Sequence, residues 1–222
     1  MADLKDSQYG PARVFHEYAD DYDAWFENSP VYEIELTALN SLHTRISGPG
    51  LEVGVGPGRF AGELGIAYGI DPARAPLKLA SDRGIKCCQA FGEQLPIQDG
   101  VIGAMYLLFT LCFVADPQKT LLECSRVLKD DGVLVIGMIP AASSWGMNLA
   151  AKKEAGHPIY RYASFYTIES VKNWLVRANL GIVEYKSTLY QSPEAVEQQE
   201  FPRIVLDEQA GFVVIVAEKN HE

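Results

Sequence analysis

Apolar positions along the chain follow two alternating rhythms. Short runs, apolar or β-branched almost throughout, occur at residues 51–55, 66–70, 85–89, 101–107, 133–139, 182–189 and 212–217. These predict strands, and the first of them lack the polar alternation of a half-exposed sheet, so the sheet should be covered on both faces. Between them, residues 76–83, 117–128 and 168–179 place apolar side chains three or four apart, as in Leu121, Leu122, Val127 and Leu128, which predicts helices. Strands separated by helices pair in parallel through right-handed crossovers. After Ala178 an Asn-Leu-Gly turn opens a stretch in which two longer strands follow each other without a convincing helix. An antiparallel edge is the expected outcome, on an α/β fold with helices on both faces of a mostly parallel sheet.

Upstream of the first strand, residues 11–46 read as helical, with Phe15, Tyr18, Tyr22, Trp25 and Phe26 spaced three and four apart and Pro30 expected to break the pattern. Gly48-Pro49-Gly50 then punctuates the approach to the first strand. The expected organisation is an N-terminal helical cap over residues 1–46 and one α/β domain over 47–222. Residues 140–164 are long for a connection between a strand and a helix, and mix Trp145, Met147, Tyr160 and Tyr162 with Lys152, Lys153 and Arg161. Long connections of this kind serve as lids or binding loops, so this lid-like insert is the expected specificity element, its positive charges suiting an anionic acceptor.

Composition narrows the classes. A chain of 222 residues, 48% apolar and 22% charged, has enough apolar side chains for one continuous core and is not built like a disordered chain. Nineteen Lys plus Arg against 29 Asp plus Glu leave a net charge of −10, which repels phosphate backbones and anionic membrane surfaces. Residues 101–115 fall short of the roughly 20 that a membrane span needs, and residues 132–151 are interrupted by Pro140, Ser143, Ser144 and Asn148. The opening MADLKDSQYG has no apolar core of a secretory signal, so a cytoplasmic protein is expected. Cys87, Cys88, Cys112 and Cys124 sit in or beside apolar stretches without metal-ligand spacing, and are expected as buried, reduced thiols with no metal.

The sharpest chemical feature is Leu51-Glu52-Val53-Gly54-Val55-Gly56-Pro57-Gly58-Arg59-Phe60: a strand, three glycines at alternate positions, then an amphipathic stretch. Glycine there permits positive φ and close approach of the backbone to a ligand, and a following helix offers free N–H groups. That places a nucleotide-type site at the carboxyl end of the first strand. The dinucleotide pattern G-x-G-x-x-G is not met, because Arg59 stands where its third glycine would fall. Glu52, inside the strand, would repel a pyrophosphate but welcome a cationic aminoacyl group. Asp71 ends the second strand in Tyr68-Gly69-Ile70-Asp71-Pro72, where its carboxylate can accept both hydroxyls of a ribose and Pro72 can pack on a flat base.

These motifs together, with Glu93-Gln94-Leu95-Pro96-Ile97, Phe113-Val114-Ala115-Asp116-Pro117 and the run from Arg126 to Leu134, resemble the successive motifs of class I S-adenosylmethionine-dependent methyltransferases. The resemblance spans about residues 51–139, with weaker echoes at Tyr166-Thr167-Ile168-Glu169-Ser170 and in the last strand. It is nearest the small-molecule branch typified by ubiquinone and menaquinone methyltransferases. It implies S-adenosylmethionine as cofactor, S-adenosylhomocysteine as product, and a Rossmann-like seven-stranded sheet in the order 3-2-1-4-5-7-6 with strand seven antiparallel. It further implies that Glu52, Gly54, Gly56 and Gly58 hold the methionine part and that Asp71 takes the ribose. Phe91, Gly92 and Glu93 would cover the adenine, and Leu108 would line the transferred methyl. The sequence departs from the family at Phe91, where an Asp is common, at Gly103, where another Asp is frequent, and at Phe113 in place of a frequent His. Only 12 residues separate Gly58 from Asp71, so the first helix of the domain should be short.

The implied activity is in-line methyl transfer to a small molecule, driven mainly by proximity, with a general base needed only for a nucleophile that is protonated at neutral pH. Candidates to face the acceptor are His16, Tyr18, Tyr22 and His157, whereas His43 and His221 lie in bland surroundings. The competing readings are an interaction module that binds the same cofactor without turnover, and an NAD-dependent oxidoreductase, which the glycine spacing disfavours. If the N-terminal aromatic helix packs over the carboxyl edge of the sheet and closes a cavity, the enzyme is favoured; if it exposes Trp25 and Phe26 on a flat face, the interaction module is.

Overall fold

The computed structural model describes residues 2–44 and 48–220, with side chains from Tyr9 onward. The expected domain boundary at 46/47 and His221 lie outside the described residues. Helices α1 (Ala2–Glu17), α2 (Ala19–Ala24) and α3 (Pro30–Asn40) precede strand β1 (Gly50–Val53). The chain continues through α4 (Arg59–Glu63), β2 (Tyr68–Asp71), α5 (Arg74–Asp82), β3 (Lys86–Gln89), β4 (Ile102–Leu108), α6 (Pro117–Val127) and β5 (Leu128–Met138). Helices α7 (Ser144–Glu154) and α8 (Ile168–Arg177) and strands β6 (Leu180–Thr188) and β7 (Phe212–Lys219) complete it.

The seven strands form one sheet in the order β3-β2-β1-β4-β5-β7-β6, parallel except for β7, which runs antiparallel to both β5 and β6. Strand β4 shows why its sequence carries no polar alternation: all seven of its residues are buried. Successive side chains point to opposite faces, so Met105 and Leu107 enter one core layer and Ala104, Tyr106 and Leu108 the other. The first layer is completed by Leu121, Val127, Val171 and Leu175 of α6 and α8. The second is completed by Ile34, Leu36 and Leu39 of α3 and by Leu77 and Ala80 of α5. Connections run from β1 outward to β2 and, after β3, back across to β4, so the strand order reverses between β1 and β4. A crevice must open at the carboxyl ends of those two strands.

Several expectations need correction. Pro30 does not break a helix; it starts one. Ser29 accepts a hydrogen bond from the Tyr32 N–H with Pro30 at the first helical position, where its missing N–H costs nothing. Asp116-Pro117 opens α6 in the same way. Residues 140–164 are not a plain loop but hold α7, capped by Ser143, and a short 3-10 turn at Tyr160–Tyr162. Of the cysteines only Cys124 is buried; Cys88 is exposed and Cys87 and Cys112 are half-buried, the first two because β3 is an edge strand.

Candidate functional site

At the carboxyl end of β1 the chain turns through Gly54, Gly56 and Gly58 with φ of +74°, +51° and +80°, a region that side chains with a Cβ rarely enter. Two of these glycines have different jobs. A Cβ on Gly54 would collide with Thr110, whose Oγ1 donates to the Val53 carbonyl and holds the end of β4 against β1. A Cβ on Gly56 would meet only the Tyr22 ring, at 3.7 Å, because this residue borders a cavity. That cavity encloses about 890 Å³ of empty space including its mouth. It is lined by Glu52, Gly54, Gly56, Asp71, Pro72, Phe91, Gly92, Glu93 and Leu108, which brings together every residue expected to bind a cofactor except Gly58. Gly58 sits behind the turn as the residue before α4, which is as short as the spacing to Asp71 predicts.

Two carboxyl groups set the electrostatics. Asp71 accepts from the Gly56 N–H (3.0 Å) through Oδ2 and from the Ala73 N–H (2.7 Å) through Oδ1, so it braces the glycine turn. Burial pushes its pKa up to about 6, and the two N–H donors restrain the rise. Glu52 is 3% exposed, and among the described residues its Oε2 has no hydrogen-bond partner. Burial and the neighbouring Asp71 charge raise its pKa well above the usual carboxylate range. An orphaned buried carboxyl oxygen facing a cavity suits a ligand that brings a positive charge or an N–H donor. Glu93 is already engaged: its Oε1 accepts from the Ala115 and Asp116 N–H groups, so it shapes the wall rather than offering a free carboxylate. Phe91 meets the ring of Tyr9 edge-on at 5.2 Å, tying α1 to the same wall.

Helices α1 and α2 close over this edge of the sheet. Asp23 receives Arg59 Nε at 2.6 Å and Nη2 at 2.8 Å, and Arg83 Nη2 at 2.9 Å, while Arg83 also donates to the Pro57 carbonyl. The cap is thereby clamped to the glycine turn and to the loop after α5. Burial raises the Asp23 pKa, but the two guanidinium groups outweigh it and hold the carboxyl below its ordinary value.

A second cavity adjoins the first, with about 1310 Å³ of empty space including its mouth. The two share Tyr22, Phe26, Phe109 and Phe113 as a common wall. Phe109 is held at φ +57°, a strained position for a bulky side chain, by stacking on Phe212 at 5.0 Å. The rest of the wall is largely aromatic: Trp25, Tyr32, Trp145, Tyr160, Phe165 and Tyr166. Cys112 also lines it, donating to the Phe109 carbonyl, and burial pushes its thiol up to about 12, so it is not a thiolate at neutral pH.

Of the candidates to face an acceptor, Tyr22 lines both cavities; burial first, then Tyr160, raises its pKa, so its hydroxyl keeps its proton. His16, Tyr18 and His157 line neither. His16 accepts from the Ala75 N–H, Tyr18 is exposed, and His157 accepts from the N–H groups of Ile159 and Tyr160 behind the wall. Among the cations of 140–164, Lys153 donates to the Ala163 carbonyl and Arg161 lies over the Tyr162 ring. Only Lys152 reaches the cavity, as an exposed side chain at its rim. One residue that sequence reading passed over lies deep in the wall: Glu35 of α3, 7% exposed. Its signal was a carboxylate on the apolar stripe formed by Val31, Ala38, Leu39 and Leu42.

A family model described as a methyltransferase domain matches residues 51–136. An uncharacterized protein of Mycobacterium tuberculosis is 37% identical over 206 residues, 90% of this chain and 72% of that protein. A ubiquinone/menaquinone biosynthesis C-methyltransferase of Campylobacter jejuni is 27% identical over 153 residues, 66% of this chain and 58% of its own. Among solved structures, a SAM-dependent methyltransferase of Thermotoga maritima, described as a possible histamine N-methyltransferase, aligns with a TM-score of 0.86 and 30% identity. That alignment covers 95% of this chain and all of the other.

Proposed function

Because the chain belongs to the class I S-adenosylmethionine-dependent methyltransferases, we propose that it methylates a small molecule held in the aromatic cavity beside the glycine turn. The observation that carries this reading is the contiguity of two cavities across one wall of four aromatic side chains, one beside the glycine turn and one large enough for a metabolite. The description of the Thermotoga maritima protein as a possible histamine N-methyltransferase supports a small acceptor.

The residues at hand fit the cofactor. Glu52 would meet its amino group through the orphaned Oε2, Gly56 leaves the space its chain needs, and Asp71 would accept its ribose hydroxyls. Pro72, Phe91 and Gly92 would flank its adenine, and Gly54 and Leu108 would line the part nearest the second cavity. When bound, S-adenosylmethionine supplies a methyl group already activated on a sulfonium. The chain's own task is to align the acceptor and exclude water. Phe15, Tyr22 and Phe26 from the cap and Phe109 and Phe113 from the segment after β4 do so with rings rather than with polar groups. In oriented systems such placement is worth about 7–11 kcal/mol of barrier. Of the two discriminating residues, Phe26 is half-buried and packs edge-on against Tyr32 and Phe60, whereas Trp25 stacks on Tyr160 at 6.0 Å and lines the second cavity while remaining 42% exposed. This packing favours the enzyme over the interaction module.

The test is direct. Protein incubated with S-adenosylmethionine carrying a labelled methyl and with a cell extract divided by ultrafiltration should place label in the low-mass fraction. Label confined to protein or nucleic acid, or no S-adenosylhomocysteine formed with either fraction, overturns the reading.

A further inference from the structure

The acceptor cavity has a chemical polarity that its aromatic walls obscure. Glu35 lies in α3 between the fully or nearly buried Ile34 and Leu36, and its carboxyl lines the cavity with Tyr22, Trp25 and Tyr160. Among the described residues it has neither a hydrogen bond nor an ion pair, and the cavity's cation, Lys152, sits exposed at the rim. A buried carboxyl without a partner costs stability, and burial alone pushes its pKa up to about 8. Its charge is felt by two neighbouring phenols: after burial, Glu35 is among the groups that raise the pKa of Tyr22 and of Tyr160. Trp25 and Tyr160 are stacked, and Tyr22 meets Trp25 edge-on at 5.3 Å. A buried carboxyl among aromatic rings is restored to its anionic form by an organic cation, with release of the carboxyl proton on binding, whereas an anion finds no such partner.

We propose that Glu35 makes this an amine-accepting cavity: its carboxylate pairs with the acceptor's ammonium group against the rings of Tyr22, Trp25 and Tyr160, and takes up the proton that nitrogen must lose. The proposal rests on the small-molecule reading above and adds the class of acceptor and the atom methylated. One proton passes from the ammonium to Glu35. The freed nitrogen lone pair then forms the new N–CH3 bond as the C–S bond breaks with its electron pair left on sulfur, giving a thioether and an N-methylammonium product. Glu35 afterwards releases its proton to water at the rim. Thiolate attack by Cys112 is not an alternative, since its thiol stays protonated.

The experiment compares three probes of similar size, phenethylamine, phenethyl alcohol and phenylacetate, by calorimetry on the protein saturated with S-adenosylhomocysteine. Phenethylamine should bind at least about thirtyfold more tightly than the alcohol, the lower end of what one partner of a desolvated charge pair contributes, and phenylacetate most weakly. Glu35→Gln, close in shape, should erase the difference between amine and alcohol while leaving S-adenosylhomocysteine affinity unchanged. The wild-type ranking by itself decides the matter if that variant does not fold. Equal binding of amine and alcohol, tightest binding of phenylacetate, or no binding of any probe to the S-adenosylhomocysteine complex overturns the amine assignment and leaves the small-molecule reading standing. Loss of S-adenosylhomocysteine binding itself would instead count against that reading.

Discussion

The glycine turn works because two carboxyl groups with different partners stand on either side of it. Asp71 is bound to two N–H groups and still has lone pairs left, whereas Glu52 Oε2 has none engaged among the described residues. For Asp71 the folded pKa of about 6 lies above the unfolded value near 3.9, so its ionisation costs the free protein stability at neutral pH, and that cost fades as pH falls through about 6. Ligand hydroxyls donating to the anion reverse this balance. The thermal shift produced by S-adenosylhomocysteine should therefore shrink as pH drops below about 6, and Asp71→Asn should remove that midpoint. An unchanged midpoint in the variant would assign the titration elsewhere. NAD should give no comparable shift, because its pyrophosphate would face Glu52. The glycines and Asp71 could be read from sequence because a local turn dictates their type. Thr110 and Glu35 could not, since a threonine fitting against Gly54 and a carboxylate facing a cavity acquire those roles only when distant elements pack.

At the scale of elements, the strands and the helices α5, α6 and α8 were legible, because continuous apolar runs and spacings of three to four report the covered faces directly; the largest miss is β5, which begins at Leu128 rather than at 133. Helix α7 was not. It contains Gly146 at a position where a Cβ would strike the Pro140 carbonyl, and its polar face and apolar side are poorly separated, so its presence depends on the Ser143 cap and on the walls it touches. The cap over the site depends on one residue in a comparable way. Asp23 joins α2 to Arg59 and Arg83 with side chains that are 15%, 21% and 29% exposed, shielded enough for charged hydrogen bonds to matter. Asp23→Asn keeps the shape and removes the charge; each lost charged bond costs about 1.5–3 kcal/mol at most, less here for partial exposure. Amide exchange over α2 should accelerate while exchange in β4 stays unchanged, and S-adenosylhomocysteine should bind more weakly. Unchanged protection of α2 would mean that aromatic packing alone holds the cap.

For the whole molecule, the reversal of strand order between β1 and β4 places the first cavity, and the antiparallel β7 beside β5 extends the sheet to support the second. The two cavities share Tyr22, Phe26, Phe109 and Phe113 as lining residues. If a ligand on one side orders these rings, it lowers the cost of ordering them for the other, which couples the two sites by a factor that is the same in both directions. Phenethylamine should bind the protein about five- to tenfold more tightly with S-adenosylhomocysteine present, the low end of typical coupling, and S-adenosylhomocysteine should gain the same factor from phenethylamine. Tyr22→Ala removes one of the two cap rings that line both cavities, the other being Phe26, and should bring that factor closer to one while each ligand still binds alone. Calorimetry in both orders of addition measures it. A factor of one in the unaltered protein would mean that the shared wall is rigid before either ligand arrives, and that the cap serves only to exclude water.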